Sequence, residues 1–276
     1  MNMDMEQARF NMIEQQIRPW EVLDPVVLDL LAEVKREEFV PAEQKLLAFA
    51  DVCLPLGSGA AMLEPKMEAR LLQELGLKST DRVLEIGAGS GYMAALLAAR
   101  AEFVTSLEIE PALVAMARAN LSRAGIANVA VEQADGLKGW SAKAPYDAIV
   151  LSGSVPVLPD VLLQQLKVGG RLVAIVGTLP VMSAQLVTRT GEMTFNTINL
   201  FETAAPALRN ARNDANAMET ELRAAGFEVT KVLDADREKL LRVKDDFARR
   251  VGGGDDVVFF FSGHGSQPER QGAYLL

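Results

Sequence analysis

Thiol and imidazole are scarce in this chain, which has one cysteine, Cys53, and one histidine, His264, among 276 residues. A lone cysteine closes no internal disulfide, and without a cluster of Cys and His no metal site is expected. Long apolar runs are missing too. Apolar stretches such as "LVAIVG" and "VVFFF" fall far short of the roughly 18 residues that span a bilayer. The opening "MNMDMEQARF" carries acids where a secretory signal needs an apolar stretch. We therefore expect a cytoplasmic protein in a reducing compartment, with no membrane partner. Positive charge is in deficit as well, since 28 Lys and Arg against 37 Asp and Glu leave a net charge of -9. A surface of that sign repels nucleic acid and anionic lipid, so neither is an expected partner. A neutral or cationic small ligand fits it better.

What is present is ample apolar content, 49% of the residues, and a clear alternation of patterns. Residues 5–18 and 25–34 have helical spacing, with Pro25 suited to a first turn. The stretch "FADVCLPLGSGAAMLEP" reads as a loop broken by Pro and Gly, feeding a helix in "KMEARLLQELGL" that stops at Gly76. Short apolar strands then alternate with amphipathic helices: "RVLEIG", "EFVTSLEIE", "NVAVEQ", "YDAIVLS" and "RLVAIVG" are the strands. "VLLQQLKVGG" reads as helix and turn. "AQLVTRT" and "EMTFNTINLF" read as an antiparallel hairpin around Gly191 at the sheet edge. This is an α/β fold with a mostly parallel twisted sheet and helices on both faces. A boundary near Pro206 divides residues 1–206, made of an N-terminal part (1–75) and the sheet (76–206), from a partial α/β segment at 207–276. In that tail, "NARNDANAMETELRAAG" and "DREKLLRVKDDFARRV" read as helices, and "FEVTKVL" and "VVFFFSGHG" as strands.

The candidate ligand site begins in "VLEIGAGSGY", where a strand ends and Gly87, Gly89 and Gly91 alternate with Ala88 and Ser90. Glycine tolerates positive φ and carries no Cβ, so a ligand can approach the backbone. Dinucleotide sites use Gly-x-Gly-x-x-Gly spacing and place a pyrophosphate there. Here the extra residue is absent, no Arg or Lys interrupts the loop, and carboxylates surround it. Glu85 precedes the first glycine, Glu108 ends the next strand beside Ile109, and Asp135 with Gly136 follows the third. That rim suits the sulfonium and ribose hydroxyls of S-adenosylmethionine. Glu108 is assigned to the ribose hydroxyls, Asp135 with Gly136 to the adenine edge, and Glu85 to loop ordering or the methionine end.

With "MIEQQIRPW", "VKREEFVP", "AFADVCLPLGSG", "VLEIGAGSGYMAALLA", "SLEIEPALVAMARANL", "EQADG" and "LLQQLKVGGRLVAIVG", the chain resembles the protein-L-isoaspartate O-methyltransferase family over roughly residues 5–205. The resemblance implies a Rossmann-like S-adenosylmethionine-dependent methyltransferase fold and methylation of the isoaspartyl carboxylate in damaged proteins. A carboxylate is already ionised near neutral pH, so such a transfer rests on positioning and desolvation and needs no general base. One departure stands out: Ala61, Met62 and Leu63 occupy the place of the family's Thr-Ile-Ser, whose hydroxyls contact substrate. Ser58, Gly59 and Leu63 are the candidates for the acceptor loop. A diverged O-methyltransferase acting on another acceptor, such as a small carboxylate, and a cofactor-binding scaffold are the alternative readings. Cys53 reads as a small buried hydrophobe.

The tail, with "LRNARNDANAMETELRAAGFEVTKVLDADREKLLRVKDDFARR" and "DVVFFFSGHGSQ", resembles the first half of a caspase-like (metacaspase-type) peptidase domain. His264 matches that family's catalytic histidine, but no cysteine follows it among the 276 residues, and the opening strand of that family is not apparent ahead of "LRNARNDA". The tail is therefore expected not to be a peptidase. Its uncovered apolar strands suggest self-association.

Overall fold

The structure, a computed structural model, describes residues 4–208, 211–232, 237–252 and 256–258. Asp4 caps the first helix, α1 (Met5–Met12), its carboxylate accepting from the amides of Glu6 and Gln7. The helix runs on through a π-helical turn at Ile13–Ile17 and a 3-10 turn at Arg18–Trp20, ending at Glu21 with φ 60°. Asp24 and Pro25 open α2 (Pro25–Glu33), which buries Val27, Leu28, Leu30 and Leu31 on one face. The stretch read as a plain loop contains a small hairpin, β1 (Leu54–Gly57) and β2 (Ala60–Met62). Ser58 and Gly59 turn it with φ of 50° and 73°, the two left-handed residues a tight hairpin uses. Strands this short, interrupted by Pro55, leave no alternation to read. Next, α3 (Pro65–Leu75) stops at Gly76, whose φ of 52° ends a helix without strain.

The sheet follows in the predicted alternation: β3 (Arg82–Ile86), α4 (Tyr92–Ala98), β4 (Phe103–Glu108), α5 (Pro111–Arg123), β5 (Val129–Gln133), β6 (Tyr146–Val155), α6 (Asp160–Gln164), β7 (Leu166–Thr178), β8 (Val181–Arg189) and β9 (Phe195–Thr203). The strand order is β5-β4-β3-β6-β7-β8-β9. The first five are parallel and the last two antiparallel. The order reverses between β3 and β6, which opens a crevice at their C-terminal ends. One expectation needs correcting: "LKVGG", read as helix end and turn, lies within β7. At Gly170 a Cβ would sit 2.9–3.1 Å from the carbonyls of Lys167, Asp147 and Tyr146. The glycine thus admits a close backbone approach where the β6–β7 register shifts.

Consecutive buried residues of each central strand face opposite layers. Val83, Val104, Val150 and Val173 join the core with α3, α4 and α5, whereas Leu84, Leu107, Ile149 and Leu172 join the one that includes Leu162 of α6. A sheet covered on both faces explains why these strands read as unbroken apolar runs.

Two compact units are present, Met1–Leu208 and Arg209–Leu276. In the second, α7 (Ala211–Ala224) stops short of Gly226, which has φ 91°, and α8 (Arg237–Ala248) follows. Of the strand expected at "FEVTKVL", residues 227–233, the described residues 227–232 are not in a strand. Strand backbone needs a neighbour to take its hydrogen bonds, and no strand occurs among the described residues of this unit. Val257 and Val258 are half exposed and also outside any strand. The rest of "VVFFFSGHG", with His264, lies outside the described residues.

Candidate functional site

The loop from Gly87 to Gly91 leaves β3 and enters α4 at the crevice. All three glycines are left-handed, with φ of 91°, 51° and 85°. The amides of Gly87 and Ala88 donate to the Leu107 carbonyl at 2.8 and 3.1 Å, and that of Gly91 donates to Ala88 at 2.7 Å. Each glycine also admits a neighbour. A Cβ would lie 3.2 Å from the Ala117 backbone at Gly91, 3.1 Å from Leu56 Cδ1 at Gly89, and 2.5 Å from Leu208 Cδ2 at Gly87. Ala88 and Ser90 are buried, and the Ser90 hydroxyl meets Met62 Sδ at 3.7 Å.

Glu108 sits at the centre of this geometry. Its Oε2 accepts from the Gly89 amide at 2.9 Å, and its Oε1 accepts from the amides of Ile109 and Glu110 at 2.9 and 3.0 Å. One carboxylate therefore fixes both the glycine loop and the turn after β4, and Ile109 contributes through its backbone. Asp135 takes the Leu137 amide at 3.2 Å and has Lys138 Nζ at 3.6 Å. At Gly136 a Cβ would fall 2.5 Å from Ile86 Cγ2, so that turn packs against β3 only without a side chain. Ile86 pairs with Leu107, and Glu108 with Gln133. Glu108 and Asp135 thus stand at the ends of neighbouring strands.

Glu85 is placed differently from the sequence assignment. It is fully buried within the sheet, accepting from the hydroxyls of Ser106 at 2.5 Å and Ser152 at 2.9 Å. These bonds cross-link β3 to β4 and β6 rather than reaching the loop. Burial pushes its carboxyl up to about 8, so the group is largely neutral at pH 7 and adds little to the anionic rim. That rim consists of Glu108 and Asp135.

The acceptor-loop candidates are not brought together. Ser58 and Gly59 are exposed at the hairpin tip, whereas the Leu63 side chain lies in the core. A side chain in the core is withdrawn from any soluble acceptor. The Leu63 carbonyl instead accepts from Arg36 Nη2 at 2.6 Å. The Arg36 guanidinium also donates from Nε to the Ala48 carbonyl at 3.0 Å and from Nη1 to Glu68. Desolvation lowers its pKa to about 10, so it stays charged at neutral pH and ties the hairpin to α3. Cys53 is half-buried, and desolvation raises its thiol pKa.

Sequence reasoning missed the segment after β9. The Ser154 amide donates to the Pro206 carbonyl and the Leu208 amide to Ser154, each at 2.8 Å, and the Ser154 hydroxyl donates to Ala205 at 2.9 Å. Leu208 thereby drops onto Gly87 and Gly153. The usable signal was Gly153, since a glycine near a strand end marks a close approach of other atoms. Leu56, Met62 and Leu208 together give the loop an apolar surround. A separate cleft of about 460 Å³, lined by Glu38, Ala98, Arg123 and Asn128 among others, shares none of the glycine-loop residues. No group of three or more Asp, Glu, His or Cys fit to hold a metal occurs among the described residues. No helix among them is long and apolar enough to cross a membrane.

A glycine-rich bend beside two carboxylates accommodates a nucleoside with a cationic centre better than one with phosphates. The family model described as Protein-L-isoaspartate(D-aspartate) O-methyltransferase (PCMT) matches residues 7–203. A Caspase domain model matches residues 196–275, and so begins inside β9, upstream of the tail boundary drawn from sequence. Protein-L-isoaspartate O-methyltransferase 1 of Rhodopseudomonas palustris (strain HaA2) is 47% identical over 169 residues, 61% of this chain and 69% of the relative. Protein-L-isoaspartate O-methyltransferase 2 of Marinobacter nauticus is 43% identical over 175 residues, 63% of this chain and 80% of the relative. A crystal structure of a putative protein-L-isoaspartate O-methyltransferase from Plasmodium falciparum, in complex with S-adenosyl-L-homocysteine, superposes with a TM-score of 0.63 at 19% identity. It covers 75% of this chain and 99% of the other, and at that identity the likeness shows the fold alone.

Proposed function

The chain belongs to the protein-L-isoaspartate(D-aspartate) O-methyltransferase family, and from that premise we propose that it methylates the carboxylate of isoaspartyl residues in proteins. It is an S-adenosylmethionine-dependent O-methyltransferase. When bound, that cofactor supplies an electrophilic methyl group to a nucleophile held in line with it.

The chain's own residues supply binding, orientation and dryness. Glu108 would hold the ribose hydroxyls, since three backbone amides already fix its carboxylate. Asp135 and Gly136 would meet the adenine edge, and the open backbone of residues 87–91 the methionine part. Leu56, Met62 and Leu208 would keep water from the loop, and an acceptor carboxylate stripped of its hydration shell there is the stronger nucleophile. Proton transfer asks nothing of the site, because the acceptor carboxylate is already ionised. The observation that carries this reading is the bond from the Gly89 amide to Glu108, which couples the shape of the loop to the carboxylate assigned to the ribose.

A second reading, a related O-methyltransferase with another acceptor, is favoured by Ala61 and Leu63. Neither brings a hydroxyl to the hairpin, and Leu63 is turned into the core. Radiolabelled methyl transfer tests both. We expect label on an isoaspartyl peptide and none on its aspartyl isomer. Label confined to small carboxylates or phenols would replace the first reading by the second, and cofactor binding with no turnover on any acceptor would defeat both. The lone cysteine supports a reducing cytoplasm as the compartment. We also infer self-association through residues 207–276, which sedimentation of the full chain at several concentrations measures.

A further inference from the structure

Of five buried side-chain polar atoms with no hydrogen-bond partner among the described residues, two are the amide oxygens of Gln16 and Gln44 and three are Arg9 Nε, Glu37 Oε2 and Tyr92 Oη. Arg9 and Glu37 already form an ion pair through Nη2 and Oε1. Nε and Nη2 share one edge of the guanidinium, so the pair makes one of the two bonds of a fork-to-fork contact and leaves a donor and an acceptor over. Tyr92 is buried beside them. Its ring centroid lies 5.0 Å from Arg36 Cζ and 5.5 Å from the Phe39 ring, and Arg36, Phe39 and Glu37 belong to one short turn. Burial pushes the tyrosine hydroxyl up to about 12, with Arg36, Glu37 and Arg9 as its charged neighbours. Isolated buried polar atoms are uncommon because each has lost its water, and three in one neighbourhood point to a shared partner.

We propose that Arg9, Glu37 and Tyr92 enclose a binding site for a single water molecule. The donor set selects that ligand. Arg9 Nε–H requires an acceptor, which a bare cation is not. Glu37 Oε2 requires a donor and repels an anion. Water accepts from the first, donates to the second and keeps a bond for the tyrosine hydroxyl, within the two to four partners that buried waters make. The site joins α1, the turn at residues 36–38 and the first residue of α4. Tyr92 directly follows Gly91, so the water fixes the N-terminal helices to the point where the glycine loop ends.

A crystal structure of the full chain at about 1.5 Å resolution tests this. The expected result is a water peak within about 3.2 Å of all three atoms. Tyr92→Phe keeps the ring and removes one partner, and should lower the thermal midpoint by about 2–4 °C. Density with the Tyr92 hydroxyl bonded directly to Glu37 and no peak between them would overturn the proposal. So would a Tyr92→Phe chain that melts with the native one.

Discussion

Replacing Glu108 by Gln exchanges one carboxylate oxygen for an NH₂ group and leaves the shape almost unchanged. Three amides, from Gly89, Ile109 and Glu110, now point at this carboxylate. Glutamine has a single acceptor oxygen, and kept on the Ile109 and Glu110 side it turns its own donor toward the Gly89 amide. Losing one hydrogen bond to a charged group costs about 1.5–3 kcal/mol. In a unit of this size each kcal/mol moves the midpoint by about 2–4 °C, so the ligand-free protein should melt about 3–12 °C lower. Binding suffers separately, because a ribose diol would lose one of its two charge-assisted bonds. Another 1.5–3 kcal/mol weakens the dissociation constant for S-adenosylmethionine by roughly 10–150-fold. Scanning calorimetry measures the first effect and titration calorimetry the second. A lowered midpoint with affinity within about threefold of native would mean that Glu108 only orders the loop, and its assignment to the ribose would fail.

Gly89→Val forces a branched side chain into φ 51° and to 3.1 Å from Leu56 Cδ1, so cofactor binding should be lost; an unchanged affinity in titration calorimetry would refute the use of this loop. Arg36→Met leaves Glu68 buried and unpaired and should cost about 3–5 kcal/mol in urea unfolding, whereas adding Glu68→Leu should recover most of it. An equally unstable double variant would contradict that account. Glu85 titrates near 8 in the folded chain and at the ordinary carboxylate value when unfolded, so between these values the folded state holds the extra proton. Its favourable share of stability is complete below the ordinary value and is lost as pH rises through about 8. Glu85→Gln should therefore flatten the decline of the thermal midpoint between about pH 5 and 8, and parallel native and variant curves would count against a neutral Glu85.

Much of the sheet was legible along the chain. Strands covered on both faces are apolar throughout, their helices keep a 3.6-residue period, and Pro25 and Gly76 mark ends through their own backbone preferences. The glycine loop was legible for the same reason, since three left-handed residues in a row of five ask for glycine wherever they occur. Glu108, Asp135 and Gly136 followed because the ends of parallel strands are countable. The hairpin at residues 54–62 was not, being too short to show a period, and of the strand expected at residues 227–233 the described part, 227–232, is not a strand, since propensity by itself supplies no hydrogen-bonding neighbour.

By itself, the sequence determined the layer architecture, the loop and its flanking acids, all of which depend on residues near one another in the chain. Only the tertiary structure decided that Glu85 is neutral inside the sheet, that Leu63 turns into the core, and that Leu208 closes over Gly87. Each of those outcomes rests on burial by residues distant in sequence, and desolvation depends on what surrounds a group in space.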